Sequence, residues 1–205
     1  MSQYSLSTPV IVKRLGMADI PCELPILHGR RLLLREWRSS DVPTVQEASQ
    51  DPFIPFITTV PSTSGVPEAL AFIERQHDRL RTRAGYVFAI ADTSDRAVGL
   101  IGLFFSSGAA SARASIGYWI ISSQRRQGYA AEALGILTSW ARLHADLDRL
   151  ELYVEPWNSG SWRAAEGAGY EREGLLRAWK RIDGKPCDMY MYAQRTTRAA
   201  KQQDG

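Results

Sequence analysis

The sequence predicts an α+β domain: a mixed, mostly antiparallel sheet of seven strands with about four helices. Three observations predict it. Apolar runs at Tyr86–Ala91, Ala97–Phe104 and Ala112–Ile121 are separated by turn-forming Asp92-Thr93-Ser94-Asp95 and Ser106-Ser107-Gly108, an antiparallel meander. A helical period over 128–144 lies between the strand patterns 112–121 and 150–154, which reads as one β-α-β crossover. Two more strand patterns, near 172–180 and 187–194, flank Arg181-Ile182-Asp183-Gly184, a hairpin turn.

The elements follow in order. A strand starts near Arg31, where Leu32, Leu34 and Glu36 alternate with Leu33, Arg35 and Trp37. Ser40-Asp41 offers a cap and Pro43 suits a first turn, so a helix covers about 42–50. Pro52 and Pro55 break the next segment, leaving Asp51–Phe56 as an aromatic loop. Pro67-Glu68 opens a second helix with Leu70, Ile73, His77 and Leu80 at helical spacing. After the meander, Ala130, Ala133, Leu134, Leu137, Trp140 and Ala141 form the apolar face of a helix from Gly128 to His144. Leu150–Val154 alternates as a strand, and Ser159–Gly167 reads as a small-residue helix before the final hairpin.

At 205 residues and 44% apolar composition the chain can bury a core, and no linker divides it. One domain is expected over 24–194, between an arm at 1–23 and a tail at 195–205. No window approaches 18 uninterrupted apolar residues, so no membrane span is expected. The first twenty-odd residues lack a signal-peptide pattern, and a cytoplasmic protein is expected. A net charge of +3 from 25 basic and 22 acidic residues, interspersed, gives no ground for direct nucleic-acid binding. Cys22 and Cys187 lack any Cys-x-x-Cys or His partner spacing, so neither a disulfide framework nor a metal is expected. His28, His77 and His144 are isolated and read as structural.

The chemistry concentrates at two junctions. At Ile120-Ile121-Ser122-Ser123-Gln124-Arg125-Arg126-Gln127-Gly128-Tyr129-Ala130-Ala131-Glu132 a strand runs through a polar turn into a helix. The first amides of that helix have no intrahelical partner and carry the positive end of its dipole. Gly128 and Ala130 let an anion approach the backbone, and Arg125 and Arg126 supply full charges, a cradle for a pyrophosphate. The second junction, Asn158 to Tyr170, is by itself a capped helix ended by a glycine turn.

Together the two junctions resemble the GCN5-related N-acetyltransferase (GNAT) superfamily, in its RimJ/RimL-type branch. The resemblance rests on Gly117-Tyr118-Trp119 ahead of the Arg125-x-x-Gly128-x-Ala130 turn, on Glu132, Asn158 and Ser161, and on Gly169-Tyr170, Glu173-Gly174 and Asp188. It runs from about Leu27 to Gln194. It implies a three-layer α/β sandwich whose fourth and fifth strands splay apart to admit acetyl-CoA as cosubstrate. Pantetheine would pair with the backbone at Trp119, Ile120 and Ile121. The pyrophosphate would lie on Arg125, Arg126, Gln127, Gly128, Tyr129, Ala130 and Ala131, with Asn158 and Ser161 also touching the cosubstrate.

The reaction so implied is direct acetyl transfer to a primary amine. It needs a neutral amine, a stabilised oxyanion and a proton for the departing thiolate. An N–H near Ile120 would serve the oxyanion. Many relatives place a proton-donating Tyr where this chain has Ala165; the resemblance to the RimJ/RimL-type branch implies instead the hydroxyl of Ser161 for that role, with Asn158 orienting the cosubstrate. Ser115 stands where relatives often carry a basic Glu, which leaves Glu155, Asp188 or water as the base. Deprotonating an α-amine at pH 7 costs about 1 kcal/mol, against over ~4 kcal/mol for lysine. A weak base therefore favours a protein or peptide N-terminal α-amine. Alternatives are a small amine (aminoglycoside, polyamine, amino acid) and a non-catalytic acetyl-CoA-binding module. Trp37, Phe53, Phe56, Trp157 and Trp179 are candidates for an acceptor cleft, with the Pro52–Phe56 loop favoured as its wall. A homodimer is left open.

Overall fold

The computed structural model describes residues 23–105, 112–144 and 147–196. The strands are β1 (Leu27–His28), β2 (Leu32–Arg35), β3 (Gly85–Asp92), β4 (Ala97–Phe105), β5 (Arg113–Ile120), β6 (Arg149–Val154), β7 (Glu171–Ile182) and β8 (Lys185–Arg195). They form one sheet in the order β1-β2-β3-β4-β5-β6-β8-β7. The helices are α1 (Val42–Ser49), α2 (Ile54–Ile57), α3 (Val66–Arg81), α4 (Tyr129–His144) and α5 (Ser159–Gly167).

The expected seven strands are present, and the two-residue β1 adds an eighth at the edge, pairing Leu27 and His28 with Leu34 and Leu33. The family's fourth and fifth strands are therefore β5 and β6. Every pairing is antiparallel except β5 with β6, the pair spanned by α4.

The strand alternation distributes the core over both faces of the sheet. On β3, Tyr86, Phe88 and Ile90 enter one cluster with Leu134, Leu137 and Trp140 of α4. Val87 and Ala89 point the other way, into a second cluster with Val45 of α1 and Phe72 of α3. Helices cover both faces, giving the three layers.

Three local readings change. Residues 54–57 form one helical turn rather than a loop. Pro55 falls in its first turn, where a missing N–H costs nothing, and Asp51 Oδ1 accepts the N–H groups of Phe53 and Ile54 at 2.9 and 3.0 Å. The buried face of α3 is Ala69, Phe72, Ile73 and Gln76, while Leu70 is 42% exposed. Phe72 sets that rotation by packing edge-on to Trp37 and tilted against Trp119. The final hairpin turns on Asp183-Gly184 alone, both at positive φ (49° and 70°), which suits the two-residue loop. The last strand runs through Arg195, one residue into the expected tail. Residues 1–22 of the expected arm at 1–23, 197–205 of the expected tail, the turn at Ser106-Ser107-Gly108, Cys22 and the side chain of His144 lie outside the described residues.

The feature that creates the site is the seam between β5 and β6. It holds only three rungs, Arg113↔Arg149, Ala114↔Leu150 and Ser115↔Glu151. From Ile116 to Ile120 the strands part, while β5 stays paired with β4 throughout.

Candidate active site

The open edge of β5 presents specific backbone groups. Ile121 N–H donates to Val98 O at 3.0 Å, so the antiparallel alternation turns the N–H groups of Trp119 and Ile121 toward β4. Those of Tyr118 and Ile120 face the gap. Of the three residues expected to meet pantetheine, only Ile120 offers its N–H there. The Ile120 carbonyl accepts from Arg125 Nε at 3.0 Å.

Beyond Ile121 a 3-10 turn (Ser122–Gln124) leads into 125–128 and then α4. Arg126 and Gly128 both have positive φ, 63° and 79°. Such a turn aims successive N–H groups into one concavity. The first α-helical bond is Glu132 N–H to Gly128 O, 3.1 Å, which leaves the amides of Tyr129, Ala130 and Ala131 without intrahelical partners.

The two arginines divide. Arg125, although exposed, is paired within the chain, 2.5 Å from buried Asp51 and bonded to Ile120 O. Arg126 is exposed and makes no ion pair among the described residues. The turn's available full charge is thus that of Arg126, with Arg125 tying the turn to Asp51 ahead of α2.

A third arginine, Arg31, was not singled out by the sequence. Its backbone N–H and Nε reach Glu132 Oε1 and Oε2 at 2.8 and 2.9 Å, and its Nη1 donates to Gln127 O at 2.8 Å. Burial works against the charge on Glu132, but the bonds from Arg31 outweigh it and hold the carboxyl below its usual range. Arg31 therefore clamps the turn to the start of β2. The adjacent pair Arg30-Arg31 was visible, but a contact across 101 residues leaves no local pattern.

The other end of the gap opens into a cavity of about 610 Å³. Asn158 caps α5 by accepting Ser161 N–H at 3.2 Å, so its Oδ1 is engaged in positioning Ser161. Ser161 Oγ lies 2.9 Å from the hydroxyl of Tyr118, which also donates to Ser161 O at 2.9 Å. Burial pushes the Tyr118 phenol up to about 12, with the Ser161 bond opposing it. Tyr118 belonged to the sequence motif without a role. The period of two, which puts it on the same face as Ile120, was the available signal.

Glu155, just past β6, is 7% exposed and lines the same cavity. Its carboxylate has no hydrogen bond or ion pair among the described residues. Asp188 is committed elsewhere, accepting Ala178 N–H at 2.8 Å where β7 bulges. Ser115 sits in the closed seam, opposite Glu151. Glu151 in turn holds Arg149 and accepts the Tyr153 hydroxyl.

The aromatic candidates separate into three groups. Phe56 and Trp179 line the cavity, Trp179 stacking on Tyr153 with centroids 5.5 Å apart. Trp37 is in the core, 1% exposed. Phe53 and Trp157 pack edge-to-face at 4.6 Å and do not line the cavity. His77 bridges Glu74 and the Trp37 carbonyl, a structural position.

A fit to acetyl-CoA rests on these features: an unpaired strand edge for amide bonding, a concave turn of free N–H groups, and one unpaired cation beside it. The donor set suits a diphosphate and a chain of amides. No helix among the described residues is long and apolar enough to cross a membrane.

Known proteins bear on this geometry. The chain matches the acetyltransferase (GNAT) domain family over residues 31–171. The uncharacterized N-acetyltransferase p20 of Bacillus licheniformis is 27% identical over 168 residues, which are 82% of this chain and 94% of that protein. Mycobacterium smegmatis RimJ in complex with CoA-disulfide shares the fold with a TM-score of 0.74 at 22% identity, over 86% of this chain and 90% of that one. The ribosomal alpha-N-protein acetyltransferase RimL, in complex with coenzyme A, matches with a TM-score of 0.69 at 18% identity, over 83% and 98%.

Proposed function

We propose that this chain, which belongs to the GNAT acetyltransferase family and is an acetyl-CoA-dependent N-acetyltransferase, acts on a protein or peptide N-terminal α-amine. The observation that carries this reading is the charge of the cavity. Among its described lining residues Glu155 is the only carboxylate, set beside Asn158 and Ser161, while Arg79 and Lys180 are cationic. A polycationic aminoglycoside or polyamine needs several carboxylates there. An α-amine needs one, because it is neutral in roughly one molecule in ten at pH 7. The alpha-N-protein activity named for RimL agrees with the same acceptor class.

Acetyl-CoA, when bound, supplies the acetyl group as a thioester. The amides of Arg126 through Ala131 and the Arg126 guanidinium would hold its diphosphate, and the edge of β5 its pantetheine. The Ile120 N–H is directed into the gap, where a carbonyl oxygen gaining charge would find it. Glu155 takes the proton from the incoming ammonium. Ser161 O–H, which rests on the Tyr118 phenolic oxygen, would turn to give its proton to the departing sulfur, and the second proton of the attacking nitrogen would restore the hydroxyl, while Glu155 returns the first to water. Asn158 is a positioning residue: it sets the first turn of α5 and hence Ser161.

The experiment is thiol release from acetyl-CoA across N-terminal peptides, polyamines, aminoglycosides and free lysine at pH 7. Peptide α-amines should turn over fastest. A faster reaction with lysine side chains or polyamines would refute the acceptor class, and CoA binding without turnover on any amine would refute catalysis.

A further inference from the structure

Several arginines hold a carboxylate: Arg31 has Glu132, Arg35 has Asp41 and Asp95, Arg81 has Glu74 and Asp78, and Arg149 has Glu151 and Glu173. At the cavity mouth two cations without one meet. Arg79 reaches it from α3 and Lys180 from β7, on the opposite wall, and both converge on one short segment. Arg79 Nη2 lies 3.4 Å from Thr59 Oγ1, and Lys180 Nζ donates to Ile57 O at 3.2 Å. Neither has an acidic partner among the described residues.

The surroundings of Arg79 sharpen the contrast. Its guanidinium lies over the Phe104 ring, 5.1 Å from the centroid, and is partly buried. Burial, and then repulsion from Arg75, pull its pKa below the usual arginine value, with no carboxylate opposing them. Arg75 itself donates to Thr59 O at 3.0 Å and adds a third positive charge to the same corner. A desolvated cation held by one long hydroxyl contact binds an anion more strongly than it binds that hydroxyl.

We propose that Arg79 and Lys180 form an anion subsite for the acceptor, so that the favoured substrate carries a carboxylate or phosphate a few bonds from the amine that meets Glu155. The cavity is then bipolar: its carboxylate receives the ammonium, its two cations receive the acid, and Phe56 and Trp179 cover the stem between them. Such an acceptor is a peptide with an acidic residue close to its N-terminus, or a small amino acid bearing its own acid. This inference rests on the amine-acetylating role of the site argued above.

The test compares acceptor pairs that differ only in charge. Peptides with Asp or Glu at the second or third position are run against their Asn or Gln twins, and free aspartate and glutamate against asparagine and glutamine. In the wild type the acid member should exceed its amide twin by roughly tenfold in kcat/KM, the size of a charge-assisted hydrogen bond. That ratio should fall toward one in Arg79→Gln and in Lys180→Gln, and recover in Arg79→Lys. Raising salt from about 50 mM to about 500 mM should also shrink it. A wild-type ratio of one, or a ratio unchanged in both variants with normal CoA binding, would overturn the subsite. Preference for free amino acids over peptides upholds the subsite and removes the peptide acceptor. Turnover confined to lysine side chains or polyamines, with no charge preference, defeats both readings, whereas acetylation of neutral peptides alone defeats only the subsite.

Discussion

The hydroxyl of Tyr118 on β5 and Oγ of Ser161 in the first turn of α5 stand 2.9 Å apart. Since Tyr118 OH also bonds the Ser161 carbonyl, the start of α5 is tied to the open edge of β5 at one point. With the phenol's proton on that carbonyl, the serine hydroxyl donates to the phenolic oxygen, which parks it at the open edge.

Ser161→Ala should lower kcat at saturating substrates by about 10²–10⁴, the usual worth of a positioned acid, with CoA affinity little changed. Tyr118→Phe should cost less, about threefold to tenfold in kcat, because the donor remains and only its orientation loosens. Full turnover by the alanine variant would remove Ser161 from the chemistry.

Glu155→Gln should reduce kcat/KM by about tenfold at pH 7, the factor by which the neutral α-amine is scarce there. Its deficit should narrow as pH rises past about 8, where an α-amine loses its proton unaided. Rate profiles of both enzymes between pH 6 and 9, on one peptide, decide this; a constant deficit across that range contradicts a proton-accepting role.

Gly128 sits at φ +79° with Arg31 Nη2 only 3.1 Å from where a Cβ would project. Gly128→Ala should therefore destabilise the fold by about 1–2 kcal/mol and weaken CoA binding, since the left-handed backbone and the clamp cannot both be kept. Calorimetry with CoA and a thermal melt measure the two effects. A variant with unaltered CoA affinity would show that the turn is not the diphosphate seat.

The Glu132 carboxyl is held below its unfolded value by Arg31. A group lowered in this way contributes stability that is present above the unfolded pKa, about 4.3, and is lost as pH falls through the folded one. Acidification below about pH 4 should loosen the turn and release CoA, and Glu132→Gln should flatten that part of the curve. Melting temperatures of the two proteins from neutral to acidic pH, with and without CoA, test it.

The meander, the crossover and the last hairpin were legible because strands with alternating apolar residues and Gly- or Asp-rich turns obey local rules. The start of α4 and the cap at Asn158 were legible for the same reason. What the sequence could not display was the use of each charge. Arg125 and Arg126 are neighbours with the same chemistry, yet a carboxylate 74 positions away occupies the first and leaves the second free. Arg31, Arg79 and Tyr118 matter through partners between 20 and 101 residues distant, which no window can hold. The face of α3 shifted for a related reason: Phe72 answers to Trp37 and Trp119, not to the pattern of its own helix.

The three rungs that join β5 to β6 set where the gap between the strands begins. A strand advances about 3.3 Å per residue, so one added rung would shorten the slot by roughly the length of two or three methylenes. Any substitution that lengthens the seam would therefore take its space from the cavity between Tyr118 and Tyr153.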